Sequence, residues 1–119
     1  MATVRGEHEG NVLFVLSGRA AAAVAAAFPA NCEYDPASGD IFVRDQRVGN
    51  LPLVRVPGFR KIPGIPGESR EVIILALPEE RDALLVQYRG TLRDKIARIE
   101  LEARRLRLLL EASLKVAEG

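Results

Sequence analysis

The chain has 119 residues, one cysteine, one histidine, no tryptophan and a formal charge of +1. Apolar residues make up 48% and charged residues 28%, the balance of a globular chain, which excludes global disorder. A lone Cys32 excludes an intramolecular disulfide. With His8 alone beside it, one chain cannot assemble the several thiolate or imidazole ligands of a structural zinc site.

No membrane span is predicted. The longest run of small apolar residues, Ala20 to Ala30, is interrupted by Pro29 and falls short of the roughly 20 residues a span needs. Glu7 and Glu9 stand where a signal peptide carries basic residues, and Arg19 splits the apolar stretch. The expectation is a cytoplasmic protein that does not contact a membrane. Charge is unevenly spread. Residues 1–43 are acidic overall, whereas residues 44–70 carry six cations against Asp45 and Glu68. The middle of the chain is therefore a basic strip suited to an anionic partner.

In chain order, Asn11 to Leu16 is a compact apolar run that reads as a buried strand. Ser17 is a good N-cap for the alanine-rich segment Arg19 to Phe28, where Val24 and Phe28 share one face and Pro29 stops the helix. Cys32 to Tyr34 and Asp40 to Arg44 read as short strands joined by Asp35-Pro36-Ala37-Ser38-Gly39, a turn in which Gly39 supplies positive φ. Gly49-Asn50 predicts a second turn. Leu51 to Val56 predicts an edge strand, because Pro52 has no N–H to donate. Three Pro-Gly pairs predict a loop over 57–69. Val72 to Leu77 is fully apolar and reads as the central strand, covered on both faces. Pro78-Glu79-Glu80 is an acidic first turn suited to the positive end of a helix. Helical spacing then runs almost to the C-terminus. Gly90, with Thr91 and Asp94 in capping-box spacing, is a candidate interruption that leaves one kinked helix or two helices open.

The strongest periodic signal begins at Leu92. Leu92, Ile96, Ile99, Ala103, Leu106, Leu110, Ser113 and Ala117 form an a/d heptad frame over about 26 residues, roughly 39 Å of helix. Lys95 and Glu102 fall at g, Glu100 and Arg107 at e, so a parallel pair of helices would set Lys95 opposite Glu100 and Glu102 opposite Arg107. Opposite charges also recur four apart along the helix, as in Asp94/Arg98, Glu100/Arg104 and Arg107/Glu111. A second stripe, Ala97, Leu101, Leu108 and Ala112, widened by Leu109, Leu114 and Val116, exceeds a two-stranded seam and predicts more than one neighbour. The plain alternative is packing on the chain's own sheet.

Other constellations each have a structural and a functional reading. His8, flanked by Glu7 and Glu9, reads as a solvated side chain before it reads as a general base. Cys32 reads as a buried thiol, since no histidine in a folded segment activates it. Asp35, Asp40 and Glu33 are candidate cation ligands, although turn chemistry accounts for both aspartates. Ser17-Gly18-Arg19 is an ordinary strand–helix turn or an anion site at a helix N-terminus. No phosphate-binding glycine motif follows a strand, and no cofactor is predicted. In the basic strip, Arg44, Arg47, Arg55, Arg60 and Lys61 lie near Phe42 and Phe59, a set that neutralises phosphates and stacks unpaired bases.

The stretch Glu33 to Phe42, followed by Gly49 and Gly58-Phe59, resembles the hairpin that precedes the nuclease motif in some phage HNH endonucleases. The histidines and asparagines that bind metal and cleave in that family have no counterpart, so the resemblance implies a hairpin and no nuclease.

These readings define an α+β protein: a small mixed or antiparallel sheet, one alanine-rich helix and a long C-terminal amphipathic helix. Residues 1–78 are expected to form the globular domain and 79–119 an oligomerisation or docking segment. The expected role is non-catalytic. It is that of an assembly or adaptor protein, a homo-oligomer or a component of a larger complex or virion, working through Leu92, Ile96, Ile99, Ala103, Leu106 and Leu110. The alternative is a nucleic-acid-binding protein that uses Arg44, Arg47, Arg55, Phe59, Arg60 and Lys61, with the helix as its dimerisation element.

Overall fold

The computed structural model describes residues 2–118 except 7, 11, 62, 63, 65 and 68, with backbone only at 8, 9, 117 and 118. The chain is α+β. Its elements are β1 (Thr3–Val4), β2 (His8–Glu9), β3 (Val12–Leu16), α1 (Gly18–Ala27), β4 (Glu33–Tyr34), β5 (Asp40–Val43), β6 (Gln46–Asn50), β7 (Val54–Arg60), β8 (Arg70–Ala76), a 3-10 turn (Pro78–Glu80) and α2 (Arg81–Glu118). One sheet has the order β1-β4-β5-β6, the other β2-β3-β8-β7. Packing divides the chain into two units, residues 1–88 and 89–119.

Within the first unit, β8 sits centrally, parallel to β3 and antiparallel to β7. Its alternation explains the continuous apolar sequence. Leu75 and Ile73 serve one core with Phe14, Val24, Cys32, Tyr34 and Ile41, while Val72, Ile74 and Ala76 serve a second with Val56, Leu84 and Leu85. A strand covered on both faces has no need of polar residues at alternate positions. β3 splits its side chains in the same way, Phe14 and Leu16 to the first core, Leu13 and Val15 to the second.

Helix α1 begins where its cap residue predicts. Ser17 is extended, and its Oγ accepts from the Ala20 N–H at 3.0 Å. Ala20 and Val24, four apart, are fully buried. Alanines on that face let the helix approach closely. The last turn closes at Phe28, whose N–H donates to the Val24 carbonyl before Pro29.

Two expectations fail, each for a tertiary reason. Gly49-Asn50 is not a turn but the end of β6, and the turn is Arg44-Asp45, with Val43 paired to Gln46. Gly49 is there for close approach: a Cβ on it would lie 2.3 Å from the Phe28 ring. Both turn residues take positive φ, 50° for Arg44 and 64° for Asp45, a two-residue hairpin geometry normally filled by Asn or Gly. Arg5 anchors the strained tip: its guanidinium reaches Asp45 at 3.1 Å and Glu33 at 3.3 Å and lies 4.1 Å over the Phe42 ring.

The edge strand is shifted. It runs from Val54 to Arg60, not from Leu51 to Val56, and so takes in Pro57 and Gly58 from the expected loop. Of the rest of that loop, residues 62, 63, 65 and 68 lie outside the described residues. Pro57 is tolerated because β7 is an edge. Gly58 lies against Ile74, where a Cβ would come within 2.4 Å of Cδ1. Leu51 precedes the strand, and its carbonyl accepts from the buried Tyr34 hydroxyl at 2.9 Å. The N-terminus, for which the sequence predicts no element, is also paired. Its polar residues form β1, parallel to β4, and β2, antiparallel to β3. The Asp35–Gly39 turn between β4 and β5 is as expected, with Gly39 at φ 77°.

Gly90 does not interrupt the C-terminal helix: α2 is continuous over 38 residues. Thr91 and Asp94 are mid-helix, and no cap forms there. No helix among the described residues is long and apolar enough to cross a membrane.

Candidate functional site

Within residues 89–119, α2 exposes large apolar side chains at helical spacing. Ile96, Ile99, Leu106 and Leu110 of the a/d frame are 53% to 69% exposed, and Leu92 and Ala103 are half-buried. Ser113 is exposed and bonds back to the Leu110 carbonyl at 2.7 Å. Ala117, the last position of the frame, lies outside the described side chains. At 100° per residue these positions cluster on one face, and Leu101 and Leu108 point from the opposite one. Leu101 and Leu108 are also exposed. With Leu109 and the stems of Arg104 and Arg105 they line a shallow apolar depression. Most of the charged residues occupy the flanks between the stripes. Arg105 reaches Glu102 at 2.9 Å, an exposed i,i+3 pair.

The basic strip is contiguous in sequence and divided in space. Arg44 is in the β5–β6 turn and Arg47 on β6, whereas Arg55, Phe59 and Arg60 are on β7, with Lys61 just beyond it. Arg47 donates to Asp40 at 2.8 Å. That bond, with a second from Asn50, holds the Asp40 carboxyl below the usual range. Arg55 reaches the Pro36 carbonyl at 3.3 Å and lies 5.0 Å over the Phe14 ring. Phe59 is half-buried and stacks on Tyr88, centroids 5.2 Å apart and planes 22° apart. The Tyr88 hydroxyl donates to Glu71 at 2.9 Å, and the carboxylate it faces raises its pKa. Arg60 and Lys61 remain exposed at the end of the strand, next to this stack.

The N-terminus of α1 receives an anion from the chain itself. The buried Ser17 hydroxyl donates to Glu80 Oε2 at 2.7 Å, and the same oxygen accepts from the Leu77 N–H at 2.9 Å. Arg19 comes within 3.7 Å of the adjacent Glu79. The Ser17-Gly18-Arg19 turn thus serves to join α1 to the turn after β8. Asp35 is used locally, accepting from the Ala37 N–H at 3.0 Å, and Asp40 is engaged by Arg47 and Asn50. Among the described residues no group of three His, Cys, Asp or Glu is placed to hold a metal ion. Cys32 is a buried, free thiol in the first core. The His8 side chain lies outside the described residues.

The apolar stripes were found from sequence because a helical period persists through them. The Ser17–Glu80 link was not, since its partners are 63 residues apart and share no pattern. No family model, curated protein or solved structure matches this chain.

Proposed function

We propose that this is a non-catalytic assembly protein, a subunit that builds a multi-chain structure through its C-terminal helix. One observation carries the reading: over residues 96–116, large aliphatic side chains are exposed on two opposite faces of one helix. Contiguous exposed apolar surface of this kind is uncommon on a working monomer and is covered by a partner where it persists. A helix apolar on two sides suits a place between neighbours, as in a bundle or in a complex that joins unlike chains. Such a subunit fits a larger complex or a virion. The nucleic-acid alternative has weaker support. Its residues are spread over two sheets, Arg47 is neutralised by Asp40, and Phe59 is engaged with Tyr88.

Sedimentation of the full chain tests the reading. The wild type is expected to exceed its 13.0 kDa monomer mass at micromolar concentration, with a mass that rises with concentration. Ile96→Asp with Leu106→Asp is expected to return it to the monomer while amide protection in β3 and β8 persists. A wild type that stays monomeric at 100-fold higher concentration, with the double variant indistinguishable from it, overturns the proposal.

A further inference from the structure

We infer that the occupant of the Leu92–Leu110 face is a second copy of this chain, lying parallel and in register; this deepens the assembly reading and rests on it. In the heptad frame Ile96, Ala103 and Leu110 take position a, and Leu92, Ile99, Leu106 and Ser113 take position d. Each g position of one helix then flanks the e position five residues on in its copy. Three such couplings fall within the frame that begins at Leu92. Lys95 meets Glu100 of the second copy, Glu102 meets its Arg107, and Leu109 meets its Leu114. The first two are opposite in charge and the third is apolar on both sides. Leu109 and Leu114 are both more than half exposed in the single chain, although neither belongs to the a/d seam. The parallel copy explains them as one widened layer of that seam. Glu102 already reaches Arg105 in its own helix, and its carboxylate has a second oxygen for Arg107 of the copy.

The leucine pair decides orientation. In an antiparallel pair built on the same seam, g flanks meet g flanks and e flanks meet e flanks. Lys95 would still find Glu102, and Glu100 would still find Arg107, so charge alone does not discriminate. Leu114 would then lie against Arg93, an aliphatic side chain on a cation, and Leu109 against Tyr88, which is already stacked on Phe59 and bonded to Glu71. Only the parallel, in-register copy sets Leu109 and Leu114 on each other while keeping two opposite-charge couplings.

Two experiments on the full chain test this. Ser113→Cys places a thiol at a d position that meets only itself in a parallel, in-register pair. Buried Cys32 does not compete with it. Mild oxidation is expected to convert most of the variant to a disulfide-linked dimer. An antiparallel pair would instead bring residue 113 to residue 89, so mixing Arg89→Cys with Ser113→Cys would give the mixed dimer and leave the Ser113→Cys chain alone unlinked. That result overturns the proposal. Separately, Lys95→Glu and Glu100→Lys should each weaken self-association. Mixed together they should form the heterodimer in about tenfold preference, because both g–e couplings are then attractive. The antiparallel pair has no such rescue, since Lys95→Glu would set one carboxylate against another at Glu102. An oligomer that shows neither the 113–113 disulfide nor the heterodimer preference refutes the parallel copy and leaves the assembly reading standing. A wild type that sediments as a monomer refutes both.

Discussion

Ser17 is expected to be the most costly polar side chain to remove from the first unit. Its hydroxyl is buried, accepts from the Ala20 N–H at 3.0 Å and donates to Glu80 at 2.7 Å. Ser17→Ala removes the N-cap, which costs about 1 kcal/mol. It also removes a hydrogen bond to a charged group, worth about 1.5 kcal/mol. The carboxylate keeps the Leu77 N–H, so it is not orphaned. The sum, about 2.5 kcal/mol, is a large fraction of the roughly 5–15 kcal/mol that holds a domain together. Glu80→Gln retains an oxygen that accepts both bonds and loses only the charge, so it should cost about 1 kcal/mol. Urea unfolding followed by tyrosine fluorescence, at one fixed chain concentration because association shifts apparent stability, measures both. The reasoning is refuted if Ser17→Ala costs less than about 0.5 kcal/mol, the scale of an ordinary surface change. It is equally refuted if Glu80→Gln costs as much as Ser17→Ala.

Three further outcomes follow from particular contacts. Gly49→Ala should destabilise by about 1–3 kcal/mol, because the Phe28 ring must move. The loss should shrink in a Phe28→Leu background, and equal losses in both would deny the contact. Arg44→Gly should raise stability by up to about 1 kcal/mol in the same urea assay, since Arg44 sits at φ 50°; a loss would mean the strain is absent. Tyr34, by burial, and Tyr88, chiefly by its bond to Glu71, have pKa values raised above 10.0. Their neutral forms therefore stabilise the fold fully below pH 10, and that contribution is lost as pH rises through the folded values. Absorbance titration should show both phenols ionising late, and Glu71→Gln should bring Tyr88 alone back toward its ordinary value.

The parts of the fold legible in the sequence are those in which local chemistry and tertiary role agree. β3, β8 and α1 announce themselves by apolar run, cap and proline stop, and each lies close to where those signals place it. β6 was hidden because Gly49-Asn50 carries turn chemistry while serving another purpose, room for the Phe28 ring. That need comes from a residue 21 positions earlier, and no window over 46–50 contains it. β7 was displaced for a similar reason. Pro57-Gly58 looks like a breaker, yet an edge strand tolerates the proline and Ile74 requires the glycine. The basic strip shows the reverse limit. Five cations near in sequence were divided by a strand break at 51–53, and two of them were claimed by Asp40 and Phe14. The stripes on α2 were readable because exposure there follows the helical period itself.

The composition of residues 89–119 argues against a helix whose only task is to be a helix. Alanine has the best helix propensity, leucine is no better and isoleucine is worse. The opposite charges spaced four apart along the helix already support it in water. Replacing Ile96, Ile99, Leu101, Leu106, Leu108 and Leu110 by alanine would, on propensity alone, keep or improve the helix. Those aliphatic side chains are therefore a cost in water that propensity does not offset, since their exposed area is removed from solvent only by another surface. The first unit disposes of its own large residues in the opposite way, with Tyr34, Ile41, Val56 and Leu75 almost wholly enclosed. One chain thus encloses apolar area thoroughly in one segment and displays it on two helix faces in another. On the proposed assembly the display has a use, and the matched couplings at Lys95, Glu102 and Leu109 would specify register and partner, which burial alone does not.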